Sequence, residues 1–214
     1  MSLQQAMKEC PAVAILRSSS AVRYAEVSDV LVDAGIRAVE FTFTAPDVAE
    51  AIRSYAARKP DGVALGAGTV VTAEQARQAV DAGATYLISP AVCLDVIEEG
   101  NRLGVPVLPG ALTPTEILTA WRAGAAMVKV FPASALGGPS YLKAVRGPLP
   151  DIPLVPTGGV DVANAGDYLA AGAVGVGVGS PLVGDACEPN GDLDALALRA
   201  RTLVASVTSA AGRP

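Results

Sequence analysis

Short runs of Val, Ile, Leu, Ala and Gly return along this chain at intervals of roughly 20 to 27 residues, each followed by an amphipathic segment. Strands too apolar to face water on either side, alternating with helices, belong in a parallel sheet that is covered on both faces. The strand candidates are Ala12 to Arg17, Ala38 to Phe43, Ala64 to Thr69, Tyr86 to Ala91, Pro106 to Gly110, Met127 to Pro132, Leu154 to Gly159 and Val174 to Gly179. Ala-Gly steps before the next strand, at Gly35, Gly83, Gly124 and Gly172, mark helix ends that pass through a left-handed glycine, and Gly104 reads as a further one. Thr72 and Thr113-Pro114 read as helix starts, a short helix over Leu3 to Glu9 precedes the first strand, and Gly184 to Asp192 reads as a loop before a final helix. Eight βα units without a separating linker predict an α/β protein, a (β/α)8 TIM barrel forming a single domain over residues 1–214; a doubly wound open sheet is the alternative.

Within the sixth strand, Met127-Val128-Lys129-Val130-Phe131-Pro132, one ammonium group stands where the pattern demands burial. Burying it is costly unless the lysine is paired or neutral. The other three lysines, Lys8, Lys59 and Lys143, sit in polar helical surroundings. Strand alternation puts Lys129 on one face with Met127 and Phe131, and puts Glu40 on one face with Thr42 and Thr44, opposite Phe41 and Phe43. If both faces line a barrel interior, an amine and a carboxylate project into one enclosed space. Such a pair is either a structural ion pair or a catalytic one.

Composition narrows the chemistry. Hydrophobic residues make up 51% and charged residues 17%, which argues against disorder, and no apolar run is long enough to span a bilayer. The net charge of −5 has no basic cluster to set against it, and aromatics are 4%, so neither nucleic acid nor an anionic membrane is an expected partner. The chain contains no histidine, which removes Ser-His-Asp hydrolysis and the usual zinc sites. Three cysteines without metal-like spacing, and a start without the build of a signal peptide, fit a reducing cytoplasm. Neither metal nor cofactor is expected. A desolvated lysine nevertheless has chemistry of its own: as a neutral amine it attacks a ketone, and the resulting imine accepts the electrons of an adjacent carbon–carbon bond.

In barrels of this class, functional groups gather at the C-terminal ends of the strands. Pro156-Thr157-Gly158-Gly159-Val160 and Val176-Gly177-Val178-Gly179-Ser180 end the last two strands, where glycines either hold phosphate through their backbone N–H groups, as is frequent in such barrels, or merely serve tight strand-to-helix turns. Gly66-Ala67-Gly68-Thr69 either binds a carboxylate or thins the barrel wall. Arg17 is an anion clamp or a solvated rim residue, Cys93 an inert thiol, and Ser18-Ser19-Ser20 a capping loop.

In these motifs the chain resembles the 2-keto-3-deoxy-6-phosphogluconate (KDPG) and 4-hydroxy-2-oxoglutarate aldolase family. The matching stretches are Ala14-Ile15-Leu16-Arg17, Val39-Glu40-Phe41-Thr42-Phe43-Thr44, Gly66-Ala67-Gly68-Thr69-Val70, Ile88-Ser89-Pro90, Leu108-Pro109-Gly110, Lys129-Val130-Phe131-Pro132-Ala133 and Pro156-Thr157-Gly158-Gly159-Val160, in order over nearly the whole chain. The resemblance implies a class I aldolase without cofactor: Lys129 forms the Schiff base and Glu40 acts as general acid/base, through a water. It implies that Thr69, Gly68, Arg17 and Pro90 hold the substrate carboxylate, that Thr157, Gly158, Gly159, Gly179 and Ser180 hold the phosphate, and that Thr44 and Phe131 shape specificity. A (β/α)8 barrel and a homotrimer are implied as well. Many relatives carry Arg in a phrase Glu-x-Thr-x-Arg where this chain has Thr44, and a second branch has Thr there with an arginine ending the first strand, as Arg17 does here. The expected substrate is a small keto acid, 2-dehydro-3-deoxy-6-phosphogluconate, with unphosphorylated 4-hydroxy-2-oxoglutarate or the galactonate epimer as alternatives. More distant are a phosphosugar isomerase or epimerase and a non-catalytic metabolite-binding barrel.

Overall fold

The structure is a computed structural model and describes residues 1–212. Among the described residues nine short strands are present: β1 (Ala12–Leu16), β2 (Ala38–Thr42), β3 (Ala64–Gly68), β4 (Leu87–Ile88), β5 (Val107–Leu108), β6 (Gly110–Ala111), β7 (Val128–Val130), β8 (Leu154–Pro156) and β9 (Val176–Val178). Six of them form one parallel sheet in the order β5-β4-β3-β2-β1-β9, and β6-β7-β8 form a second. The architecture is α/β, in one domain, with parallel strands as the sequence predicts. The fifth predicted strand is split at Pro109, which has no N–H to donate to a ladder. Its carbonyl still accepts from Lys129 N at 3.0 Å, and Val107 O accepts from Ala126 N at 3.0 Å, so hydrogen bonds run between the two sheets. On the other side Val174 N donates to Leu154 O at 3.0 Å, and a parallel bridge joins Thr157 to Gly177.

The helix ends follow the glycines. Gly35, Gly83, Gly104, Gly124 and Gly172 all have positive φ, from 72 to 108°. Around all five a backward bond repeats, Ile36 N to Leu31 O, Ala84 N to Ala79 O, Val105 N to Gly100 O, Ala125 N to Ala120 O and Ala173 N to Tyr168 O, which satisfies carbonyls of the last turn. Thr72 caps its helix by accepting from Gln75 N at 3.2 Å, and Thr113 and Glu116 form a reciprocal capping box. Helix Leu3–Glu9 is present as predicted, and the chain's last helix, Leu193–Ala211, follows the predicted loop. Among the described residues no helix is long and apolar enough to cross a membrane.

Alternation along the strands divides the apolar interior in two. The larger set, with Leu16, Phe41, Leu65, Leu87, Val128 and Val176, lies between sheet and helices. The smaller contains Val13, Ile15, Ala38, Ala64, Tyr86, Ile88, Leu108, Met127 and Val155, with Leu3, Ala6 and Met7 of the first helix packed among them. Phe41 confirms the sense of β2: its ring is 5.1 Å from Tyr24 and 5.7 Å from Tyr55, both in the outer set, so its neighbour Glu40 points the other way. Lys129 alternates with Val128 and Val130, which are also outer residues, and so faces the inner space together with Met127.

Candidate active site

Lys129 and Glu40 are both buried, at 4% and 0% exposure. Lys129 is held by β7, between Gly110 of β6 and Val155 of β8; Glu40 is held by β2, between Ile15 of β1 and Gly66 of β3. No ion pair within 4.0 Å joins them among the described residues, and both carboxylate oxygens of Glu40 are buried without a hydrogen bond from the protein. A carboxylate in that position favours its proton, so burial raises the Glu40 pKa against the opposing pull of Lys129 and Arg17. Burial lowers the Lys129 pKa; the Glu40 charge opposes this, and Arg17 adds to it. The Lys129 amine lies 5.0 Å from the centroid of the Phe131 ring, a placement that favours positive charge on the nitrogen.

The glycines of β3 have a reason in this geometry. A Cβ on Gly68 would fall 1.6 Å from Glu40 Oε1, and one on Gly66 would fall 2.1 Å from the Tyr86 ring. Of the two readings the sequence left open for Gly66 and Gly68, the thinned wall is thus physically present, with Glu40 and Tyr86 filling the space. Tyr86 itself was invisible as a site residue in the sequence. It is fully buried, and its hydroxyl donates to Val39 O at 2.7 Å, so it reaches from the residue before β4 across to β2, near the carboxylate of Glu40.

A cavity of about 270 Å³ opens at Lys129, lined also by Ile15, Arg17 and Phe131 and by the segments Thr157 to Val160 and Gly179 to Pro181 that follow β8 and β9. The predicted phosphate residues therefore share one space with the predicted Schiff-base lysine. Among the described residues the amides of Gly158, Gly159, Val160, Gly179 and Ser180 donate to no protein acceptor, which leaves them available to an anion. Arg17 is exposed at the rim, and its Nη2 donates to Thr69 Oγ1 at 3.1 Å. Thr69 is half-buried with φ 57°, a left-handed conformation that turns the chain away from the sheet.

Other predicted residues fall outside this cavity. Thr44 is exposed on the turn after β2, and its hydroxyl meets Thr42 Oγ1 at 2.9 Å. Pro90 lines a neighbouring depression of about 280 Å³ together with Gly110, and Phe131 borders both spaces. Gly68 stands behind Glu40, away from the cavity lining. Ile15, Val160 and Pro181 line the cavity without having been singled out in the sequence, because an apolar residue at a strand end carries no chemical signal. Among the described residues no group of three metal-ligating side chains occurs.

The KDPG and KHG aldolase family profile matches residues 3–198. The chain belongs to this family. A 2-dehydro-3-deoxy-phosphogluconate aldolase of Pseudoalteromonas atlantica is 33% identical over 205 residues, covering 96% of this chain and 95% of the relative. Among solved structures, one described as native KDPGal superposes with a TM-score of 0.88 at 32% identity and covers 98% of both chains. A KDPG aldolase of Legionella pneumophila, solved with pyruvate captured as a covalent carbinolamine intermediate, superposes with a TM-score of 0.86 at 27% identity, covering 95% of this chain and 98% of that one. As a member of this family the chain is an aldolase, a lyase.

Proposed function

We propose that this chain is a class I aldolase that cleaves 2-dehydro-3-deoxy-6-phosphogluconate to pyruvate and glyceraldehyde 3-phosphate. The observation that carries this reading is a desolvated lysine that lines a cavity together with free backbone amides and is electrostatically coupled to an unpartnered buried carboxylate, Glu40. Neutral Lys129 attacks the C2 ketone, and loss of water leaves an iminium next to the Phe131 ring, whose face stabilises the positive charge. Glu40 takes the proton of the C4 hydroxyl. The C3–C4 bond then breaks, its electron pair passes into the iminium to give an enamine, and the aldehyde departs. Protonation at C3 and hydrolysis return the free amine and release pyruvate. In this reading Arg17 and Thr69 hold the carboxylate and Thr157, Gly158, Gly159, Gly179 and Ser180 hold the phosphate, with Thr44, Gly68 and Pro90 acting from behind or beside them.

The galactonate epimer is the second reading, favoured by the TM-score of 0.88 to the structure described as native KDPGal. Rates of pyruvate release on the gluconate substrate, its galactonate epimer and 4-hydroxy-2-oxoglutarate separate the three. The proposal expects kcat/KM highest for the phosphorylated gluconate compound. A preference for either of the others would reassign the substrate, and release from none of them would remove the aldolase reading.

We also infer that the two sheets close into one (β/α)8 barrel, on the strength of the bonds between them at Val107–Ala126, Leu154–Val174 and Thr157–Gly177. A homotrimer is proposed from the family resemblance, with exposed Val22, Val71 and Leu94 as apolar surface it would use. Its solution mass would be three times 21.5 kDa, and a mass of one chain would exclude it.

A further inference from the structure

The cavity wall that continues β8, next to the lysine strand, contains three successive peptides whose carbonyls are all held by hydrogen bonds. Thr157 O accepts from Ala133 N at 2.8 Å, Gly158 O from Ser134 N at 3.1 Å, and Gly159 O from the side-chain amide of Asn164 at 2.9 Å. All three peptides are trans, so each carbonyl points opposite to the N–H of the next residue. Fixing the three carbonyls thereby turns the amides of Gly158, Gly159 and Val160 away from their tethers, and all three residues line the cavity. The positive φ of Gly158 and Gly159, 85° and 78°, is the backbone conformation this arrangement requires.

Two of the three tethers are backbone groups of Ala133 and Ser134, in the segment that follows the lysine-bearing strand. The third is a single side chain. Asn164 is locked in place on its other side, where its Oδ1 accepts from Asp161 N at 2.9 Å while Asp161 Oδ1 accepts from Ala163 N and Asn164 N at 2.9 and 2.8 Å. Asn164 does not line the cavity, and so its effect on a ligand runs through the Gly159 peptide.

We propose that Asn164 is a positioning residue that sets the preference of this site for phosphorylated over unphosphorylated keto acids, by fixing the Gly159–Val160 peptide and with it the direction of the Val160 N–H beside the Gly158 and Gly159 amides. This rests on the reading of Gly158, Gly159 and Ser180 as the phosphate site. The test compares wild type with Asn164→Ala and Asn164→Asp, the second of which keeps the acceptor for Asp161 N and loses only the donor to Gly159 O. The measurements are kcat and KM on 2-dehydro-3-deoxy-6-phosphogluconate and on its unphosphorylated counterpart, and competitive inhibition by inorganic phosphate. Asn164→Ala is expected to raise KM for the phosphorylated substrate and Ki for phosphate about tenfold, the effect of misaligning one set of hydrogen bonds. Asn164→Asp should raise both further, because it brings a like charge towards the anion. For both variants KM on the unphosphorylated compound stays within about twofold of wild type, and the pyruvate adduct trapped by borohydride reports an intact fold. An equal loss on both substrates would make Asn164 merely structural and overturn the proposal, as would an unchanged KM and Ki. A wild-type enzyme that neither prefers the phosphorylated substrate nor is inhibited by phosphate would instead remove the phosphate site, and the proposal with it.

Discussion

Lys129→Ala is expected to lower kcat for keto-acid cleavage by at least about 10³-fold and to abolish the pyruvyl adduct that borohydride traps in the native enzyme. In the proposed mechanism the amine is the covalent nucleophile, and no second lysine is placed to replace it: Lys8, Lys59 and Lys143 are outside the cavity. Lys129→Arg sharpens the test, since guanidinium keeps the positive charge and remains protonated, and therefore forms no imine. An isomerase or a metabolite sensor that needs only a charge at this position would keep much of its function with arginine. An aldolase of the Schiff-base type loses it with either substitution, and a Lys129→Arg protein that cleaves at more than a tenth of the native rate would sink the mechanism. Peptide mapping of the reduced adduct places it on the peptide containing Val128-Lys129-Val130 or refutes the assignment.

Glu40→Gln should leave a protein that still forms the adduct and turns over about 10²- to 10⁴-fold more slowly, the usual contribution of a positioned proton-transfer group. Glutamine fills the space that Gly68 leaves open, so the packing survives while the base is lost. The same variant moves the titration of Lys129. Burial and Arg17 both lower the lysine pKa, and the Glu40 charge is the influence that raises it, so removing that charge allows the pKa to fall further. A lower pKa means a larger neutral fraction at any given pH below it. The pH midpoint of the trapping rate is therefore expected to move downwards in Glu40→Gln. A midpoint that stays in place or rises would show that the two side chains are not electrostatically coupled, and full turnover would remove Glu40 from the chemistry.

The structure explains why some of these residues were legible in advance and others were not. The helix ends at Gly35, Gly83, Gly124 and Gly172 were readable because a left-handed turn makes a local demand that glycine answers. The common face of Lys129 and Met127 followed from alternation, which a strand obeys whatever surrounds it. Strand lengths were less readable: β4 and β5 are two residues each, since pairing depends on the neighbouring strands and Pro109 interrupts the ladder. Thr44 shares the alternation of Glu40 on paper, yet the chain turns after Thr42 and leaves it exposed. Pro90, read with the carboxylate site, borders the adjacent depression across the Phe131 ring.

The sequence by itself determined the repeated βα unit, the one lysine in an apolar strand, the absence of histidine as an alternative base and the glycines that end the last strands. These are local matters of periodicity, residue chemistry and backbone freedom. The tertiary structure alone decided that Glu40 would lie over Gly68 with no hydrogen bond to either oxygen, that Tyr86 would close the space beside it, and that Arg17 would reach Thr69 from another strand. Desolvation is the physical reason for that division. How far an amine or a carboxylate is removed from water depends on every strand around it, and the lowered pKa of Lys129 is a property of that enclosure rather than of its neighbours in the chain.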